Sequence, residues 1–208
     1  MAATIRLAGE SDAEQIRAIY APYVTHTAIS FELEPPTVEE MRRRIVDILP
    51  RWPWLVCERG REILGYVYAG RHRSRAAYQW SADVSVYVDE RCHRLGIGGA
   101  LYSSLFAILA LQGFYNAYAG ITLPNAASVG LHESLGFQPV GVYRAVGYKL
   151  GAWHDVGWWQ LVLQPHATPP DPPKALGVVR TCPEWEAALA RGLPLLRLTA
   201  RSAPSEDT

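Results

Sequence analysis

Residues 89–106, DERCHRLGIGGALYSSLF, place three glycines within four positions, after an arginine-containing turn and before an apolar run. Gly96 and Gly98 allow successive backbone N–H groups to converge, and the positive end of a following helix adds to their field. Arg91 and Arg94 can add positive charge. The combination suits an anion such as a pyrophosphate, although the same residue pattern is also typical of a tight turn packed against a strand.

Two common glycine-rich phosphate loops are excluded by the residues after the turn. No Gly-Lys-Ser/Thr is present there, as a Walker loop requires. Leu101 stands where a dinucleotide fingerprint has its third glycine, and no ribose-binding acid comes after a second strand. The loop by itself therefore indicates a phosphate site and leaves the ligand open between a nucleotide and coenzyme A.

The elements that position this loop are predicted from hydrophobic periodicity and turn residues. Strand-like runs outnumber helix-like runs, and helices are expected both early and in the middle of the chain. The order strand–helix–strand–helix over 83–137 requires one parallel crossover in an otherwise antiparallel sheet. We take 1–164 as one domain. The remainder, 165–208, is Pro-rich and linker-like, with one short helix or turn expected in WEAALARGLPLLRL.

Segments around the loop resemble the GCN5-related N-acetyltransferases. HRLGIG (93–98) comes after VYV (86–88) and precedes LPN (123–125) and LHESLGF (131–137). The family pattern is Gln/Arg-x-x-Gly-x-Gly/Ala, and histidine takes its first position here. RAVGYKLGAWHDVGWWQL (144–161) resembles the phosphinothricin acetyltransferase branch of that family.

The resemblance implies an α/β (α+β) fold and a donor. The implied architecture is a mixed, mostly antiparallel sheet of about seven strands with a splayed parallel pair and about four helices. The implied donor is acetyl-CoA, without a metal. The residues expected to bind the donor are Val86, Tyr87 and Val88 in one strand, Arg94, Leu95, Gly96, Ile97, Gly98 and Gly99 in the loop, and Asn125 and Ser128 near the next helix.

Direct acetyl transfer to a primary amine needs a base, a donor to the developing oxyanion and stabilisation of the departing thiolate. No Ser or Cys stands in a nucleophile-elbow setting. Related enzymes place a glutamate where Asp83 stands, so Asp83 is the implied base, one methylene shorter and able to act through a bridging water. Burial would raise its pKa. The alternative is a strand-edge carboxylate that only makes hydrogen bonds.

His132, in VGLHESLGF, is the second implied catalytic residue. Many family members have a tyrosine here, which is thought to protonate the thiolate, whereas the phosphinothricin branch has histidine. An imidazole titrates near neutral pH, so His132 can deprotonate the amine, protonate sulfur or hold the substrate. Without the motif, a single histidine on a helix would be interpreted as structural.

The resemblance also implies an acceptor pocket that includes Phe31, Arg75 and Tyr78. Arg75 can pair with an acid through two hydrogen bonds, although the run RHRSR would equally suit an arginine-rich surface. The implied acceptors are small amino acids of the phosphinothricin, methionine sulfoximine and methionine sulfone type. Two alternatives stay open: another small amine or a protein N-terminus, and a weakly catalytic CoA-binding sensor.

Composition excludes several classes of protein. Twenty basic residues balance twenty acidic ones, so no excess positive charge favours nucleic acid. No apolar run has the length of a membrane span, and the first residues are unlike a signal peptide. The three cysteines make no disulfide framework, which fits the cytoplasm.

In relatives the strand that contains GAWHDVGWW also packs at a dimer interface, so we expect a homodimer.

Overall fold

The computed structural model describes residues 2–198, which form a central sheet covered by helices on both faces. The strands are β1 Ala3–Leu7, β2 Trp54–Arg59, β3 Glu62–Arg71, β4 Ser81–Val88, β5 Asn116–Leu123, β6 Gln138–Lys149 and β7 Ala152–Val162. The α-helices are α1 Ala13–His26, α2 Val38–Ile48, α3 Ile97–Gln112, α4 Ala126–Ser134, α5 Leu176–Val179 and α6 Trp185–Ala190. The expected fold class is confirmed. The last two helices, which are short, lie beyond the predicted domain and add to the expected four.

The sheet is mixed, with seven strands in the order β1-β2-β3-β4-β5-β7-β6. Only β4 and β5 run parallel, and their register contains three pairs, which end at Asp83 and Tyr118. Both strands continue beyond that point, to Val88 and Leu123, without pairing to each other. The strands therefore open into a V, and the predicted splayed parallel pair is confirmed.

Side chains of β4 alternate between the two faces of the sheet, as the strand period of two requires. Ala82 and Val84 are buried in the core formed with α3. Asp83 lies between them and so points to the opposite face, where α1 and α2 cover the sheet. Tyr87 packs on that second core. The base predicted from the sequence and helix α3 are thus on opposite sides of the sheet.

Helix α3 is apolar on almost every side, which requires partners all around it. Leu101 and Leu105 are buried in the core between α3 and the sheet. On another face, Ser104 Oγ donates to the carbonyl of Leu189 at 2.8 Å and accepts from the N–H of Gly192 at 3.1 Å. Trp185 of α6 is buried in the same core. The C-terminal extension, as far as it is described, therefore packs on α3.

The edge strand β6 is exposed along most of its length. Several of its large apolar side chains face solvent, namely Val140, Val142, Tyr143, Val146 and Tyr148.

Within residues 2–198, no helix combines the length and apolar character needed to cross a membrane.

Candidate active site

A narrow groove occupies the opening between β4 and β5. Its walls are Val84, Ser85, Val86 and Tyr87 from β4, Ala119, Gly120, Ile121 and Thr122 from β5, Tyr102 from α3, Asn125, Ser128 and His132 at α4, and Ile29. Five of the residues predicted from the sequence thus share one groove: Val86, Tyr87, Asn125, Ser128 and His132. The closed end of the V lies at Asp83 and Tyr118.

Gly96 forms the start of α3 with a left-handed backbone, at φ +78°. This conformation costs an L-residue with a side chain free energy, and a Cβ here would also collide with the backbone carbonyl of Leu195. The N–H of Arg197 donates to the carbonyl of Leu95 at 2.9 Å. The extension is therefore in direct contact with the glycine turn.

The first turn of α3 offers backbone donors. Its first helical hydrogen bond runs from the N–H of Ala100 to the carbonyl of Gly96 at 2.9 Å. The preceding N–H groups, of Ile97, Gly98 and Gly99, have no acceptor within the helix, as in any α-helix. These donors and the helix dipole fit a phosphate.

The arginines of the turn differ in how they are paired. Arg91 is held by Asp89 at 2.6 Å and by Glu62 at 3.1 Å, so its charge is paired within the protein. Arg94 has no acidic partner within residues 2–198 and is exposed. Arg94 is therefore the better placed of the two to add charge for an anion.

His132 is buried and makes two hydrogen bonds. Its Nδ1 lies 2.7 Å from the carbonyl oxygen of Ser128, one turn earlier in α4. Because a carbonyl only accepts, Nδ1 carries the proton, and Nε2 accepts from the hydroxyl of Tyr102 at 2.9 Å. Burial lowers the pKa of His132 below its ordinary value of 6.5, so the ring is neutral at pH 7. Burial also raises the pKa of Tyr102.

The cap of α4 explains how Asn125 and Ser128 enter the groove. The Asn125 side chain accepts from the N–H of Ser128 at 3.0 Å, as an N-cap does. Ser128 and His132 are four residues apart, which places both on one side of the helix.

Asp83 is bonded to a histidine that sequence reasoning did not single out. His72 Nδ1 lies 2.6 Å from Asp83 Oδ1. Burial raises the pKa of Asp83, and the hydrogen bond from His72 opposes that rise. The His72 ring stacks on Tyr118, with ring centroids 4.3 Å apart. The pair therefore sits at the closed end of the V.

The predicted acceptor residues divide into two places. Tyr78 meets the His72 ring edge-on at 6.0 Å. Tyr78 and Arg75 line a cavity of about 230 Å³, separate from the groove, to which Arg71 and Arg73 also contribute. Phe31 lies instead at the β6–β7 hairpin, with its ring 6.3 Å from that of His154.

Trp158 adds an unpaired donor near His72. Its ring lies 6.3 Å from the His72 ring, and the Arg73 guanidinium carbon is 5.4 Å from its centroid. The indole Nε1 of Trp158 is buried and has no hydrogen-bond partner within the described part of the chain. A buried donor without an acceptor costs free energy unless a ligand supplies one.

Comparison with known sequences identifies the family. Residues 5–158 match the sequence profile of the Acetyltransferase (GNAT) domain. The chain belongs to the GCN5-related N-acetyltransferase family. It is an acyltransferase, and acetyl-CoA is its acetyl donor.

Relatives of this acetyltransferase include enzymes that modify small amino acids. A phosphinothricin N-acetyltransferase of Streptomyces viridochromogenes is 42% identical over 156 residues, which span 75% of this chain and 85% of that protein. An L-methionine sulfoximine/L-methionine sulfone acetyltransferase of Salmonella typhimurium is 36% identical over 169 residues, spanning 80% and 98%. The crystal structure of a phosphinothricin acetyltransferase from Sinorhizobium meliloti in complex with acetyl-CoA superposes with a TM-score of 0.77 at 33% identity, covering 83% of this chain and 94% of that one.

The observed features of this acetyltransferase fit the donor. The free N–H groups at the start of α3 and the left-handed Gly96 suit a pyrophosphate, and the groove suits an extended arm. Sequence reasoning missed His72, Tyr102 and Tyr118. A signal for His72 existed: Gly70 is the register partner of Asp83, and His72 comes two residues later, which places it on the same side by strand alternation.

Proposed function

We propose that the protein transfers the acetyl group of acetyl-CoA directly to the α-amino group of a small amino acid, in a ternary complex. The proposed acceptors are phosphinothricin, methionine sulfoximine and methionine sulfone, each with a carboxylate and a tetrahedral oxidised centre. One observation carries the proposal: the Asp83–His72 pair lies at the closed end of the V between β4 and β5, and Tyr78, whose ring is 6.0 Å from that of His72, lines an arginine-rich cavity. The names of its relatives agree.

On the donor side, the proposed contacts are made largely by backbone. The N–H groups of Ile97, Gly98 and Gly99 bind the pyrophosphate, and the turn Arg94–Gly96 brings them to it. Val86, Tyr87 and Val88 offer backbone groups to the extended arm, because β4 has no strand partner on that side. Asn125 and Ser128 border the arm from α4. When bound, acetyl-CoA supplies a thioester that an amine can attack.

On the acceptor side, the amine arrives as an ammonium ion and must lose a proton before it attacks. Asp83 supplies the negative charge that makes this site basic. Tyr78 forms a wall of the cavity, and Arg75 pairs with an acidic group of the amino acid, whereas Phe31 lies apart at the β6–β7 hairpin. The neighbouring Arg71 and Arg73 make the cavity attractive to anions.

At the sulfur end, the buried His132–Tyr102 pair acts on the departing thiolate. His132 is neutral and holds the Tyr102 hydroxyl in the wall of the groove. To stabilise the developing charge on sulfur by a hydrogen bond, the Tyr102 hydroxyl turns its single proton from His132 Nε2 to the sulfur. The proton that ends on sulfur comes from the attacking nitrogen, so His132 and Tyr102 end the reaction as they began it.

We further propose a homodimer formed through β6. A long exposed edge strand with apolar side chains is a surface that folded proteins cover. Val142, Tyr143 and Tyr148 lie on that edge.

The proposed transferase domain is 1–164, and the extension 165–208 packs on α3 as far as residue 198. The cysteines are unpaired, with the pKa of Cys57 raised by burial to about 11, which fits a cytoplasmic enzyme.

The test is thiol release from acetyl-CoA over a panel of amines, with mass spectrometry of the products. We expect methionine sulfone and phosphinothricin to be acetylated with the highest kcat/KM. A preference for spermidine or for a peptide N-terminus would refute the proposed acceptor class. Tight binding of CoA without turnover on any amine would favour the sensor alternative.

A further inference from the structure

We infer that His72 takes the proton from the acceptor's amino group, and that Asp83 acts through His72 by holding its ring. The inference deepens the proposed function and rests on it. It assigns the proton transfer to a histidine, where the sequence predicts the carboxylate itself or a water bound to it.

The hydrogen bond decides which nitrogen can act as a base. An ionised carboxylate only accepts, so the 2.6 Å contact with Asp83 requires the proton on His72 Nδ1. The lone pair is then on Nε2. A carboxylate that orients a histidine and stabilises the imidazolium formed from it is a recurrent arrangement for general bases.

The second nitrogen is open to a ligand. The His72 side chain is only 11% exposed, and Nε2 has no hydrogen-bond partner within residues 2–198. Among the described residues, the side-chain N and O atoms that are fully buried and lack a hydrogen-bond partner are Trp54 Nε1, Gln112 Oε1 and Trp158 Nε1. His72 Nε2 also lacks a partner among these residues, but it is not fully buried. Nε2 therefore reaches solvent from a largely buried ring, which is what access for an acceptor requires.

The ring is held from several sides at the closed end of the groove. Tyr118 of β5 stacks on it, and Tyr78 and Trp158 meet it edge-on. The titratable and charged groups that face the pair are Tyr68, Tyr78, Tyr118 and the cation of Arg73. Arg73 favours the ionised form of Asp83.

The distance from the basic atom to the acceptor's amino group explains why a histidine is useful here. Aspartate is one methylene shorter than the glutamate that the family resemblance predicts at position 83. The imidazole of His72 extends the basic site beyond the carboxylate by the width of a ring. A base must come within about 2.6–3.2 Å of the proton that it removes. The short carboxylate and the added imidazole together restore that reach.

Each proton in the reaction has a stated origin and destination. The ammonium of the acceptor gives one proton to His72 Nε2, and the resulting imidazolium is paired with Asp83. The free amine then attacks the acetyl carbonyl: a C–N bond forms, the C–S bond breaks, and the second nitrogen proton ends on sulfur. After release of the amide and the thiol, the imidazolium returns its proton to solvent.

The experiment compares His72→Asn with Asp83→Asn and a matched control, His166→Asn. His166 also stacks on a tyrosine, with ring centroids 5.4 Å apart, and has no carboxylate partner within residues 2–198. Asparagine at position 72 can still donate to Asp83 but cannot act as a base. We expect kcat with methionine sulfone to fall about 100-fold in His72→Asn, with little change in the KM of acetyl-CoA. His166→Asn should match the wild type.

The pH profile separates a base from a positioning residue. The kcat/KM of the wild type and that of His72→Asn should depend on pH in different ways, because the variant lacks the group that takes the proton. Activity within about threefold of the wild type, with an unchanged profile, would overturn the inference and return the role of base to Asp83.

A second measurement does not depend on turnover. In protein labelled with ¹⁵N-histidine, the His72 signals, assigned by their loss in His72→Asn, should show a protonated Nδ1 and an unprotonated Nε2 at pH 8. The opposite tautomer would contradict the inference whatever the activity of His72→Asn, and His72→Gln supplies the assignment if that variant fails to fold. If the wild type acetylates no amine, the proposed function fails, and the tautomer still decides the geometry claimed for His72.

Discussion

The two sides of the splayed pair β4–β5 differ in the groups that they offer to a substrate: one offers mainly backbone groups and the other mainly side chains. The proposed donor side uses backbone: the N–H groups at the start of α3 and the unpaired edge of β4. The proposed acceptor side uses side chains: Asp83, His72 and the arginines of the neighbouring cavity. A backbone site is constrained by chain conformation, whereas a side-chain site is constrained by which loops come together. Substitutions should therefore affect the two sides in separable ways.

The two faces of the sheet differ in the same way. Asp83 lies on the face covered by α1 and α2, while His132 and Tyr102 lie on the face of α3. The groove connects them through the opening between β4 and β5. In the proposed mechanism, this arrangement separates the removal of the amine proton from the stabilisation of the thiolate.

The largest effect is expected for Asp83→Asn. Loss of the carboxylate removes both the charge that orients His72 and the group that can replace His72 as base in His72→Asn, so kcat should fall about 10³-fold while the KM of acetyl-CoA stays near the wild-type value. Steady-state kinetics with methionine sulfone measure both constants. Asp171→Asn, an exposed aspartate in the extension, is the control. A rise in the KM of acetyl-CoA of similar size would break the proposed division between the sides.

Next in size is Arg75→Gln. A hydrogen bond to a charged group contributes about 1.5–3 kcal/mol, so the KM of the amino-acid acceptor should rise by roughly 10- to 100-fold. The KM of acetyl-CoA should not change. Arg180→Gln, in the extension, serves as a control for the loss of one surface charge. An unchanged acceptor KM would mean that Arg75 is only a surface arginine.

Gly96→Ala tests the donor side. The left-handed backbone costs an alanine about 1–2 kcal/mol, and the collision with Leu195 adds to it, so the KM of acetyl-CoA should rise about tenfold or more. The KM of the acceptor should change little. Gly177→Ala, where a Cβ has open space, is the matched control. Equal losses for both substrates would show that the two sides are coupled.

The smallest effect concerns His132 and pH. Its pKa is lowered by burial below 6.5, so the unfolded chain binds the extra proton first as pH falls. This contribution to stability is complete above pH 6.5 and is lost as pH falls through the lower folded value. The Tm of His132→Gln should therefore decline less than that of the wild type between about pH 7 and pH 5. Each kcal/mol of unfolding free energy that no longer depends on pH reduces this decline by about 2–4 °C. Thermal unfolding followed by circular dichroism across that range measures it, and parallel curves would contradict it.

Local patterns predicted much of the fold. Thr37 and Glu40 have the spacing of a helix capping box, and the Thr37 side chain accepts from the N–H of Glu40 at 3.1 Å. Gly113, which comes directly after the apolar run of α3, is a left-handed C-cap. The helix Leu176–Val179 was not predicted, because its four residues give too short a pattern and the prolines before it indicate a linker. Packing on α3 is what orders it.

The amino-acid sequence alone determined the glycine turn and the strand–helix order that demands one parallel pair. These are local properties, since backbone conformation and side-chain alternation depend on neighbouring residues. The family resemblance of the sequence added Asp83 and His132 as candidates. Only the tertiary structure decided that His72 meets Asp83 and that Tyr102 meets His132. Both contacts join side chains from different elements, and their distances depend on how β3, β4, α3 and α4 pack together, which no short stretch of sequence specifies.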